Sequence, residues 1–188
     1  MRRLALGLIA TLALVGAACG NGNEDDPVLE QGSPPPAHND ADVTFAQGMI
    51  PHHEQAIQMS DLALKQAASA KVKDLAGRIK EAQGPEIIQM NGWLAEWKQP
   101  VMPEHGGGHG GAGVMTEAEM GQLEQARGMA FDRLFLQSMI RHHEGAVTMA
   151  QEEQQKGQFP EAKDLARRII DAQQAEIKEM RALLQSAT

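Results

Sequence analysis

Residues 42–97 and 132–187 align at a constant offset of 90 without a gap, and 22 of the 56 aligned positions are identical. Chance in this composition gives roughly four or five, so whatever the first segment folds into, the second folds into as well. Phe45-Ala-Gln-Gly-Met49-Ile50-Pro-His52-His53-Glu54-Gln-Ala56-Ile-Gln-Met59 is answered by Phe135-Leu-Gln-Ser-Met139-Ile140-Arg-His142-His143-Glu144-Gly-Ala146-Val-Thr-Met149. A second block, Lys73 to Leu94, recurs as Lys163 to Leu184.

Both blocks carry helical periodicity. Phe45, Met49, His52, Ala56 and Met59 advance in steps of four and three, which lays them along one stripe of a helix, and Leu75, Ile79, Ala82, Glu86 and Met90 do the same. Aromatic residues make up only 3% of the chain, with no Tyr, while Met reaches 11, which suits helices better than a β-sandwich core. Each half therefore reads as a helical hairpin. Its turn falls in 67–71 in the first half and is marked in the second by Gly157 and Pro160. Two hairpins with one apolar face each bury those faces together, so the expected fold is all-α, a four-helix bundle built from two duplicated helical hairpins. Repeat 1 spans 42–97, a Gly/His-rich linker 98–115, and repeat 2 116–188. Thr116 and Glu119 match a capping box, and the third helix is expected to start there and run through Phe131 to the second His pair.

Arg2 and Arg3 lead into an apolar run, Leu4 to Val15, then Gly16, Ala17, Ala18 and a lone cysteine, Cys19. The run is short for a membrane span and reads as an export signal over 1–18. It resembles a bacterial lipoprotein signal, which implies cleavage before Cys19 and lipidation of its thiol. Residues 19–41 then read as a flexible tether, with Pro34, Pro35 and Pro36 in a row. The expected location is outside the cytoplasm, anchored by lipid to the cell envelope. A net charge of −8 without clustered Lys and Arg argues against a nucleic-acid partner, and the sequence leaves a homo-oligomer open.

The chemistry lies on the inward stripes. Met49, His52 and Met59 share one face, as do Met139, His142 and Met149, with His53 and His143 about 100° further round. Thioethers do not compete with protons and neutral imidazole is a borderline ligand, so the set favours Cu(I), with Ag(I) as its soft analogue and iron the weaker alternative. Met90 and Met180 recur on the following helices, where Glu86 and Glu176 could hydrogen-bond the far imidazole nitrogens, as could Glu54 and Glu144. The bland alternative is a structural His–Glu network with methionine as core filler. Met102, His105, His109 and Met115 in the glycine-rich stretch are a weaker soft-metal signal, balanced by a linker of no function, and His38 is expected in solvent.

The repeated Met-Ile-x-His-His-Glu-x-Ala, the lead-in Phe131-Asp132-Arg133-Leu134-Phe135-Leu136, and Glu-Ile-x-x-Met in the following helix resemble the family known as domain of unknown function 305, over residues 40–187. The resemblance implies a ferritin-like four-helix bundle in an exported bacterial protein, and for some members copper binding and resistance through Met and His. Carried onto this chain, it makes Met49, His52, His53, Met59, Met139, His142, His143 and Met149 the site candidates. The leading reading is a metal binder, not an enzyme. Its rivals are a ferritin-like di-metal oxidoreductase, which normally needs Glu-x-x-His motifs missing from these helices, and a metal-free interaction module.

Overall fold

The structure, a computed structural model, describes residues 37–101 and 112–186. The expected export signal, Cys19, most of the expected tether, Met102, His105 and His109 lie outside the described residues. Among the described residues five helices follow in order: α1 Asp40–Gln66, α2 Ala70–Glu96, α3 Glu117–Gln125, α4 Gly128–Lys156 and α5 Pro160–Ser186. The four long ones form a four-helix bundle. α1 packs along α2 and α4 along α5, and the hairpins join chiefly through α1 on α4, with α2 and α5 meeting much less. The two His-bearing helices are therefore the central pair.

Ala67 closes α1, so the first hairpin turn falls within 67–71, and Gly157 closes α4 just before Pro160 opens α5, as those two residues predict. Thr116 and Glu119 form the expected capping box. The third helix, however, does not run through to the histidines. It stops at Gln125, Ala126 and Arg127 turn extended, and Gly128 starts α4 with φ +63°, a conformation that costs glycine little. Arg127 pins this break, donating to the Gln66 side chain at 2.6 Å and to the carbonyls of Glu124 and Ala126.

A reciprocal exchange of carboxylates ties the hairpins together. Asp132 of α4 accepts from the amides of Ala68 and Ser69 in the α1–α2 turn, at 2.9 and 2.8 Å. Asp42 of α1 accepts from Gln158 and Phe159 in the α4–α5 turn, at 3.0 and 2.9 Å. Ser69, the N-cap of α2, makes no side-chain cap of its own, so the carboxylate from the other hairpin satisfies amides at the helix start and meets its positive dipole end.

The apolar interior divides into two clusters. One holds Ala56, Met59, Leu75, Ile79, Phe131, Phe135, Met139 and Met180; the other holds Phe45, Met49, Ile50, Met90, Leu94, Ala146, Leu165 and Ile169. Burying each of the larger side chains contributes about 1.5–3 kcal/mol. Along α1 and along α4 the paired histidines fall between the stretches belonging to the two clusters, so a polar layer divides an otherwise apolar core. No described helix is long and apolar enough to cross a membrane.

Candidate metal centre

His52, His53, His142 and His143 are all buried, none more than 1% exposed. His52 and His142 meet ring against ring across the α1–α4 contact, with centroids 3.8 Å apart and planes tilted by 44°. His53 Nε2–H donates to Glu86 Oε2 of α2, and His143 Nε2–H donates to Glu176 Oε2 of α5, each at 2.7 Å. The carboxylates can only accept, so each orients its imidazole with a proton on the Nε2 that faces it. The glutamate side chains are 20% and 15% exposed, so each pair runs from the surface inward. The ring of His52 donates from Nε2 to the Ala112 carbonyl at 3.3 Å.

Nδ1 of His52, His53, His142 and His143 lacks a partner among the described residues, and so does Nε2 of His142. Leaving a buried polar group unpaired costs about 1–3 kcal/mol, and here the cost recurs on four rings in one layer. Burial, followed by the neighbouring His53, lowers the His52 imidazole to about 3, and burial with His52 beside it holds His142 well below the ordinary value. Both rings are neutral at physiological pH, the form that offers a lone pair.

The methionines flank this layer in two groups. Met49 and Met90 lie in one cluster with Met149 packed against it, while Met59, Met139 and Met180 lie in the other. The face shared by Met49 and Met59 is thus divided between the two sides of the histidine layer. Met149 is half-buried, whereas the other five are fully buried, and its sulfur lies beside Gly48. Among the described residues no three His, Cys, Asp or Glu side chains gather to hold an ion by themselves. The methionines of the adjoining clusters are the further soft donors that border the layer. Neutral imidazole nitrogens without partners, bordered by thioethers, make a donor set that fits a soft monovalent ion.

Of the four glutamates, Glu86 and Glu176 reach imidazoles, Glu144 pairs with Arg181 at 2.7 Å, and Glu54 is half-buried. Met115 is buried in the cluster of Met59 and Met139. His38 does not stand free in solvent but stacks on Trp97, with centroids 4.5 Å apart and a 9° tilt, because the start of α1 runs beside the end of α2. Sequence reasoning missed Asp42 and Asp132. Their identity at the 90-residue offset was the available signal, yet a buried Asp that caps a distant turn leaves no local pattern.

Comparison with known proteins agrees with this architecture. The DUF305 protein of Streptomyces coelicolor is 34% identical, covering 78% of this chain and 93% of that one, with a TM-score of 0.73. CopM in its Cu(II)-bound form is 37% identical, covering 78% and 97%, with a TM-score of 0.69; CopM is also solved in Cu(I)-bound and Ag-bound forms. The uncharacterized protein L153 of Acanthamoeba polyphaga mimivirus is 40% identical over 57 residues, which is 30% of this chain and 38% of the viral one. The family model for the domain of unknown function DUF305 matches residues 42–184. The chain belongs to the DUF305 family.

Proposed function

We propose that this protein binds Cu(I), with Ag(I) as a surrogate, outside the cytoplasm and sequesters it in the histidine layer and the methionines on either side. The observation that carries the reading is the set of four buried imidazoles whose Nδ1 atoms have no partner. His52 and His142 are the central ligands, His53 and His143 the flanking ones, and Met49, Met90, Met149 and Met59, Met139, Met180 supply sulfur from the two sides. Glu86 and Glu176 hold the flanking rings through Nε2 and leave Nδ1 unengaged. CopM, solved with Cu(I), Cu(II) and Ag, lends support through its similarity over most of both chains. A di-metal oxidoreductase is less well served, because Glu86 and Glu176 are already committed to imidazole N–H groups. The same reading makes residues 1–18 an export signal and Cys19 the lipid attachment point.

Metal analysis of the protein recovered from its native envelope tests all of this at once, comparing the wild type with the His52→Ala/His142→Ala double variant and with Cys19→Ser. The wild type should carry copper in the membrane fraction, the double variant should lose most of it, and Cys19→Ser should leave the membrane with its copper retained. Unchanged copper in the double variant would remove these histidines from the ligand set.

A further inference from the structure

The segment Ala112–Met115 lies against α1 and α4 at the level of the stacked His52 and His142. Its contacts are unusually close. A side chain at Gly145 would bring Cβ to 1.5 Å from the Ala112 carbonyl oxygen, and one at Gly113, where φ is +86°, would reach 2.1 Å from the Arg141 carbonyl oxygen and 3.0 Å from the Cα of His142. The segment therefore runs directly over the turn of α4 that carries His142. On the α1 side the Ala112 carbonyl accepts from His52, and the Gln55 side chain clamps Met115 twice, accepting from its amide at 2.7 Å and donating to its carbonyl at 2.9 Å. The Met115 side chain is buried in the core cluster with Met59 and Met139. Gln55 and Gly145 occupy corresponding places in the two hairpins, so the helix pair offers one side that grips the segment and one that makes room for it.

We propose that Ala112–Met115 is a strap that seals the solvent side of the His52–His142 pair, fixes the His52 tautomer, and sets the rate at which a ligand reaches the pair. The strap requires glycine at 145 and an amide side chain at 55; neither residue belongs to the ligand set. Its sealing role stands without the metal reading, and its effect on metal transfer rests on that reading.

The test uses the metal-free full chain and compares Gly145→Ala and Gln55→Ala with Gly92→Ala, a control whose added methyl meets nothing within 4 Å. Diethyl pyrocarbonate acylates accessible neutral imidazole, and peptide mass mapping reads each histidine separately. His52 and His142 should be acylated about tenfold faster in both strap variants than in the control, because a local opening then replaces a larger unfolding as the route of access. Circular dichroism checks that the helices remain. If Gly145→Ala fails to fold, Gln55→Ala carries the comparison, since it deletes two surface-side hydrogen bonds from a helix and leaves the core alone. Equal acylation of wild type, Gln55→Ala and control would overturn the strap. The second reading is the rate of Ag(I) release to a chelator, which should rise by a similar factor with a smaller change in equilibrium affinity. Faster acylation with no Ag(I) bound by any form would refute the metal reading while upholding the seal; faster acylation with unaltered Ag(I) release would refute the strap as the rate-setting element.

Discussion

Asp42 and Asp132 stand at corresponding places in α1 and α4 and perform the same task, each accepting two amides in the other hairpin's turn. Their surroundings differ. Beside Asp42 lies Glu153, only 1% exposed, whereas the corresponding position in the first half is Ala63. No group in the described chain donates to the Glu153 carboxyl oxygens, and burial, with the hydrogen bond and charge of Asp42 adding to it, raises this carboxyl to about 8. Burial also works against ionising Asp42, but donors from Asn39, Phe159, Glu153 and Gln158 outweigh it and keep Asp42 below the ordinary value. Gly157 makes room for the Glu153 carboxyl, since a Cβ there would come within 2.0 Å of it, and its counterpart is Ala67. By contrast, the two His–Glu pairs are alike, each closing at 2.7 Å. The hairpins thus agree in the His–Glu pairs and diverge at the ends and under the strap.

Five substitutions sharpen that contrast. Asp132→Ala should have the largest effect, removing about 2–3 kcal/mol by stranding two amides at the start of α2. Asp42→Ala also strands the Asn39 amide but relieves the acid pair with Glu153, and this relief should bring its cost below that of Asp132→Ala; urea denaturation at pH 7 compares the two, and an equal or larger loss would show that the relief is no greater than one amide bond. Glu153→Gln comes next. The folded chain keeps the Glu153 proton up to about 8, against 4.5 for the ordinary group, so the native state holds the extra proton between these values. Stability should fall as pH rises through that window and level off above it. The amide does not titrate and should flatten this slope, raising stability near pH 8 by about 2 kcal/mol. A wild-type slope that survives in Glu153→Gln assigns the dependence to another group. Smallest and equal should be Glu86→Gln and Glu176→Gln, each losing about 1 kcal/mol because the amide oxygen still accepts from Nε2–H. Thermal denaturation of the metal-free forms measures both, and clearly unequal losses would break the equivalence of the two hairpins.

Much of this was legible in the sequence. The periodicity of Phe45, Met49, His52, Ala56 and Met59 is a local property, as are the Gly157 and Pro160 signals and the Thr116–Glu119 box, and the all-helical bundle follows from them. Burial of all four histidines was also readable, because residues three and four apart share a face; Glu86 and Glu176 were readable as candidates, but not their choice over Glu54 and Glu144. What was not legible depends on which residues meet across helices. The break at Ala126 and Arg127 is set by Arg127 gripping Gln66 of another helix, against an otherwise helix-compatible sequence. The division of Met49 from Met59 between two clusters, and the burial of Met115, follow from how α1 crosses α4 and where the linker returns.

The crossed carboxylates bear on how the chain behaves when cut. Severing the backbone between α2 and α4 would not yield two small autonomous bundles: each fragment would start its second helix with stranded amides and would expose an apolar face along its first. The pieces should instead find one another and complement in trans, and melting of the intact chain should be a single all-or-none event with no half-folded species populated.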